Sequence, residues 1–147
     1  MSESLKTVIP YEREVFYYET DRMGIVHHSN YIRWLEEART HFYAQTGFTY
    51  PMIEDMGMMI PVLSSYCEYK IPFRFGDRIK LNIIPVQYNG VRFGFEYEIC
   101  DAVTGELRAK GSSSHCFSDY DLKPVRLDRT HADMHEAWIP FFPAKKK

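Results

Sequence analysis

Residues 30–45 read NYIRWLEEARTHFYAQ. Tyr31, Trp34, Leu35, Ala38 and Phe42 recur at the three- and four-residue spacing of one helix face. Arg33, Glu36, Glu37 and Arg39 fill much of the remaining surface. Ser29 or Asn30 can cap the start, and Gly47 follows the end. The spacing predicts a helix of about 16 residues, about 24 Å long. On either side the period changes. VIPYEREVFYYETD (8–21) alternates in part and predicts a strand over about 11–18. FTYPMIEDMGMMIPVLSS (48–65) is methionine-rich, broken by two prolines and a glycine, and reads as a loop with one helical turn near 51–56.

Beyond that loop the pattern is of strands: 62–70, 77–88, 91–100 and 106–117. FGD (75–77), NG (89–90) and DAVTG (101–105) separate them. Asn-Gly between two alternating runs is a strong hairpin signal, so the last three strands are expected to form an antiparallel meander. HADMHEAWI (131–139) predicts one further helical turn. The fold class is therefore α+β: a long central helix wrapped by a curved, antiparallel five-stranded sheet. Strands of about 11 residues reach about 36 Å, long enough to twist and curl around the helix. The chain reads as one domain, 1–147, with its core over about 10–127. The sheet's partly apolar outer face and free edge strand call for a second subunit, so a homodimer or homotetramer is expected.

Composition narrows the class. Apolar residues are 45% and charged residues 26%, ordinary globular values, and the 16% aromatic share suits a sheet-rich chain. A net charge of -2 gives no electrostatic case for nucleic acid. KKK at 145–147 reads as a solvated tail. Cys67, Cys100 and Cys116 form no CxxC pair and read as buried thiols of a reduced compartment. The start, MSESLKTVIP, has neither a basic nor an apolar signal region, and no run approaches a membrane span, so a cytoplasmic location is expected.

One segment stands apart: TDRMGIVHHSNYIRWLEEAR (20–39) resembles the signature of the hotdog-fold acyl-CoA thioesterases of the 4-hydroxybenzoyl-CoA thioesterase type. The matching positions are Asp21, Gly24, Ile25, Val26, His27, His28 and Tyr31. A second piece, YKIPFRFGD (69–77), is similar at Tyr69, Pro72, Gly76 and Asp77. The resemblance spans roughly 10–127. It implies the hotdog fold, an acyl-CoA substrate, no metal, no bound cofactor, and a pocket at a subunit interface. The same resemblance places catalysis on Asp21 and on the backbone N–H at His28, with Gly24, His27 and Tyr31 around the substrate.

The chemistry is consistent with those residue types. A thiol leaving group of pKa near ~8.5 departs without strong acid help. The reaction then needs a nucleophile or base, plus donors aimed at the carbonyl oxygen. An ordinary aspartate is ionised at neutral pH, and a helix start offers unpaired N–H groups with about half a positive charge. A glycine at 24 suits a tight backbone passage beside a ligand.

Plainer roles compete with each of these. Asp21 can close a turn, His27 can pack on the sheet, and Tyr31, Trp34 and Phe42 are core residues. Glu36 and Glu37 fit a solvated or interface face, Asp77 a strand-entry turn, and His115 a partnered strand position. Methionines 52, 56, 58 and 59 are either adaptable packing or the wall of an acyl channel. Arg74, Arg92, Lys123, Arg126 and Arg129 are candidates for the coenzyme A phosphates, with nothing to choose among them. Two other functions stay open: a thioesterase acting on acyl carrier protein, and a non-catalytic hotdog module that binds acyl-CoA or a protein.

Overall fold

The structure, a computed structural model, describes residues 5–144; the N-terminal 1–4 and the 145–147 tail lie outside the described residues. Five strands, β1 (Tyr11–Glu14), β2 (Val62–Tyr69), β3 (Arg78–Tyr88), β4 (Arg92–Asp101) and β5 (Leu107–Cys116), form one sheet in the order β1-β3-β4-β5-β2. Every pairing is antiparallel. The helix α1 (Ser29–Gln45) lies against the inner face, and short helices α2 (Tyr50–Asp55), α3 (Leu127–Thr130) and α4 (Ala132–Trp138) close the ends. This is the hotdog arrangement that the sequence led us to expect.

The helix is held by its apolar stripe. Trp34, Leu35, Ala38 and Phe42 are all fully buried, as are Ile79 and Leu81 of β3 and Phe93 and Ile99 of β4. Burying one such side chain contributes about 1.5–3 kcal/mol. The inward positions of β5 differ: Ala109, Gly111, Ser113 and His115. Gly111 leaves room there for the β2 backbone and for the Leu35 side chain of α1. A Cβ on Gly111 would lie 2.9 Å from the Tyr66 carbonyl oxygen and 3.4 Å from Leu35 Cδ1. Gly111→Ala is therefore expected to destabilise by about 1–3 kcal/mol, read as a lower urea midpoint with unchanged slope.

The Asn89–Gly90 turn forms as expected. Asn89 Oδ1 accepts from the N–H groups of Val91 and Arg92, and Gly90 takes φ +93°, a left-handed conformation that favours glycine. Several expectations need correction. The first strand stops at Glu14, because Tyr17–Glu19 turns into a 3-10 helix whose Tyr17 and Tyr18 face solvent. Neither Ser29 nor Asn30 caps α1; His28 holds the cap position, and the Asn30 amide donates to the Glu19 and His27 carbonyls. The C-terminal segment is more than one turn. α3 and α4 bring Trp138, fully buried, into the aromatic layer, with its ring 4.9 Å from Phe93 and 5.1 Å from Phe117. The three cysteines are free and half-buried rather than buried; burial raises the Cys67 thiol to about 11.

One feature of the sheet faces outward without a neighbour. β2 is an edge strand, and Val62, Leu63, Tyr66 and Tyr69 along it are exposed. No helix among the described residues is long and apolar enough to cross a membrane.

Candidate active site

The segment between β1 and α1 is tied to the protein on both sides. Asp21 N–H donates to the Ile25 carbonyl at 2.9 Å, and Gly24 N–H returns to the Asp21 carbonyl at 3.0 Å. Gly24 sits at φ +77°, where a side chain would be strained, and this allows the chain to reverse within four residues. Val26 N–H then donates to Phe73, and His27 N–H to Glu19, each at 2.9 Å. So the loop is a small two-sided ribbon between the YKIPFRFGD segment and the 3-10 turn.

Beneath it lies a buried ionic cluster. Glu19 is 3% exposed. Its carboxylate accepts from Arg13, from the Phe16 N–H at 2.8 Å and from Trp34 Nε1 at 2.8 Å. Arg13 in turn forks onto Glu37 at 2.9 and 3.0 Å, and Tyr11 donates to the same carboxylate at 2.7 Å. Glu37 is thus a paired residue, whereas Glu36 is exposed. This cluster fixes the strand end, the loop and the helix to one another through Glu19, two residues before Asp21.

Asp21 projects from the ribbon into a cleft of about 300 Å³ whose walls include Met23, Val26, His28, Tyr31 and Tyr69. Asp21 Oδ1 accepts from the Met23 N–H at 2.8 Å, so the residue does close a turn. Its Oδ2 has no partner among the described residues. The N–H of His28, the cap position of α1, also meets no acceptor among the described residues. Asp21, with one carboxylate oxygen unpartnered, and His28, whose N–H at the helix start is unpartnered, therefore both line one cleft. The amide end of a 17-residue helix carries the positive pole of its dipole.

The remaining expected residues divide. Tyr31 is buried on the cleft wall, and burial raises its phenol to about 12, so it stays a neutral hydroxyl. The His28 ring rests 6.2 Å from Tyr69, whose hydroxyl reaches the His28 carbonyl at 3.4 Å. Gly24 and His27 do not line the cleft: Gly24 makes the reversal that presents Asp21, and His27 Nδ1 pairs with Ser29 Oγ at 2.9 Å. None of methionines 52, 56, 58 and 59 lines it either; Met58 is core, and Met23 supplies the sulfur on the wall. Asp77 accepts from Arg74 N–H and Arg108 at the entry to β3, a structural role. Lys70 lines the cleft, and Arg74 Nη1 lies 3.7 Å from the Cβ position of Gly24. The Arg13–Glu19–Trp34 cluster escaped sequence reasoning, because a buried acid has no local period that marks it.

A helix cradled in a curled five-stranded sheet is the hotdog arrangement, and an aspartate beside the helix start is a group that thioester chemistry can use. Comparison with known proteins agrees. The model of the Thioesterase-like superfamily matches residues 15–139. The chain is 37% identical over 128 residues to YneP of Bacillus subtilis (strain 168), a candidate acyl-CoA thioesterase, covering 86% of this chain and 92% of YneP. It superposes on the DHNA-CoA thioesterase of Staphylococcus aureus with a TM-score of 0.84 at 35% identity, covering 88% of this chain and 87% of that one. A hypothetical protein from Aquifex aeolicus aligns with a TM-score of 0.81 at 35% identity, over 88% of this chain and 98% of the other. The chain belongs to the Thioesterase-like superfamily, and its class is that of a thioester hydrolase.

Proposed function

We propose that the protein hydrolyses acyl-CoA thioesters in the cleft between the 21–28 loop and β2. The observation that carries this reading is the pair of unpartnered groups on one cleft, Asp21 Oδ2 and the His28 N–H. The thioester carbonyl oxygen accepts from the His28 N–H, and negative charge developing on it is stabilised by the helix start. Asp21 either attacks the carbonyl carbon, forming an anhydride that water then cleaves, or takes a proton from the attacking water. In both routes the C–S bond breaks, a C–O bond forms, and the thiolate leaves and takes up a proton. Of the candidate cations Arg74 lies beside the loop at Gly24, and Lys70, which was not among those candidates, lines the cleft; these two are the cations we assign to the coenzyme A phosphates.

A second copy of the chain completes this reading. Tyr69 and Lys70 put the cleft at the end of the exposed β2 edge, so a partner strand pairing there would cover the edge and close the cleft together. A dimer or tetramer is then the active form. An aromatic acyl group suits the Tyr31 and Tyr69 walls, whose rings lie 4.8 Å apart. The named substrate of the Staphylococcus aureus relative, DHNA-CoA, is of that kind.

A panel of short, long and aromatic acyl-CoA thioesters, followed by free-thiol release, tests the proposal. Turnover with at least one aromatic or short acyl-CoA is expected, in a species that sizes as a dimer or larger. Silence across the panel would favour a non-catalytic binding module, and turnover confined to acyl carrier protein would move the substrate to the carrier.

A further inference from the structure

A second cavity, of about 140 Å³, lies farther along α1, with Glu36, Arg39, Tyr43, Tyr50, Val62 and His115 on its wall. Its polar side is a chain of buried groups. Arg39 is 7% exposed, and its Nη1 donates to the Tyr97 hydroxyl at 3.2 Å. That hydroxyl contacts Ser113 Oγ, which lies 2.7 Å from His115 Nε2. Proton order along the chain follows from its first member, since a guanidinium only donates. Among the described residues Ser113 Oγ is the one acceptor beside the Tyr97 O–H, so that O–H turns to Ser113, and the Ser113 O–H turns to His115 Nε2. The proton of the neutral imidazole is then on Nδ1.

That leaves two donors wanting an acceptor. His115 is fully buried, and its Nδ1 has no partner among the described residues. Burial, then the nearby charge of Arg39, lowers its pKa to about 3, so it stays neutral and cannot serve as a second cation. Arg39 has no carboxylate within ion-pair distance among the described residues. Glu36 shares the cavity wall, yet it is exposed and does not pair with Arg39. A buried cation without a counter-anion and a buried N–H without an acceptor are each costly. One acceptor-only group, an anion with two oxygens, satisfies both and matches the fork of the guanidinium.

We propose that this cavity binds a carboxylate, with Arg39 as its counter-cation and His115 as a neutral donor. The volume is close to that of cavities that admit a benzene ring, so the carboxylate can carry a small apolar body against Tyr43, Tyr50 and Val62. It can arrive as a free acid or as the far end of an acyl group. Arg39 lies about ten residues, or about 15 Å, along α1 from the helix start beside Asp21.

Benzoate titrated into the wild-type oligomer, with sodium chloride matching the ionic strength, tests the site by calorimetry and by the His115 Nδ1–H resonance. Saturable binding and a shift of that resonance are expected, and Arg39→Gln should weaken the binding about tenfold or more. Should Arg39→Gln fail to fold, the wild-type resonance alone decides. No saturable heat and an unmoved His115 resonance overturn the proposal. Pairs of acyl-CoAs of equal carbon number, with and without a terminal carboxylate, then separate the two sources. A KM rise in Arg39→Gln confined to the carboxylated member places the anion on the acyl group. Equal KM values alongside benzoate binding mean a free acid. The binding arms need no turnover, so their failure and the failure of the hydrolase reading are told apart.

Discussion

Asp21→Asn is expected to lower kcat about 10²–10⁴-fold, the range for removing a positioned acid–base group. The variant keeps an oxygen at the same place, so the Met23 N–H retains an acceptor and the turn through Gly24 stays closed. The amide, however, can neither attack a carbonyl nor take a proton from water. KM and thermal stability should therefore move little while kcat collapses, which marks a group that works in the transition state. Steady-state kinetics on the best substrate of the panel, with the melting temperature in parallel, are the measurement. A variant with wild-type kcat removes Asp21 from the mechanism, and a variant that unfolds shows the turn, not the chemistry, to be its main task.

The second large effect lies beneath the cleft. Glu19→Ala takes one carboxylate from a site where Arg13, the Phe16 N–H and Trp34 Nε1 all donate to it. Arg13 keeps Glu37 as its one carboxylate partner, beside its Nε bond to the Glu14 carbonyl, and the buried indole N–H loses its acceptor. Breaking a buried pair from one side typically costs about 3–5 kcal/mol. Chemical denaturation should show a loss of that order. Glu37→Ala is the control: its side chain is 39% exposed, so water replaces much of what it gave, and the loss should be clearly smaller. Equal losses would mean that Arg13, not Glu19, organises the cluster. Because Glu19 also holds the 3-10 turn ahead of Asp21, the folded fraction of Glu19→Ala should lose kcat as well.

The helix over Ser29–Gln45 was legible almost to the residue, since its signal is a local period and its apolar face is the one that is buried. The hairpin at Asn89–Gly90 was legible for the same reason: the Asn89 side chain closes the turn onto the N–H groups of Val91 and Arg92, its near neighbours. Local rules misled at both ends of the chain. Val15 is buried, but Phe16, Tyr17 and Tyr18 are exposed, so alternation there does not continue a strand. The α3 and α4 segment was under-read because its order comes from Trp138 packing on Phe93 and Phe117, partners distant in the chain. Ser29 and Asn30 are good caps by type, yet Asn30 is drawn to the Glu19 carbonyl across the loop.

The candidate site divides in the same way. By itself the amino-acid sequence determined the helix, the strand periods, the turn chemistry and the motif that sets Asp21 seven residues ahead of His28, all of which rest on neighbours along the chain. Only the tertiary structure decided that Glu19 is buried between Arg13 and Trp34, that Asp21 and His28 line one cleft, and that His115 ends a buried relay from Arg39. The reason is physical. Whether a polar group is desolvated depends on which surfaces close over it, and those surfaces come from strands and helices that meet only when the sheet curls around α1.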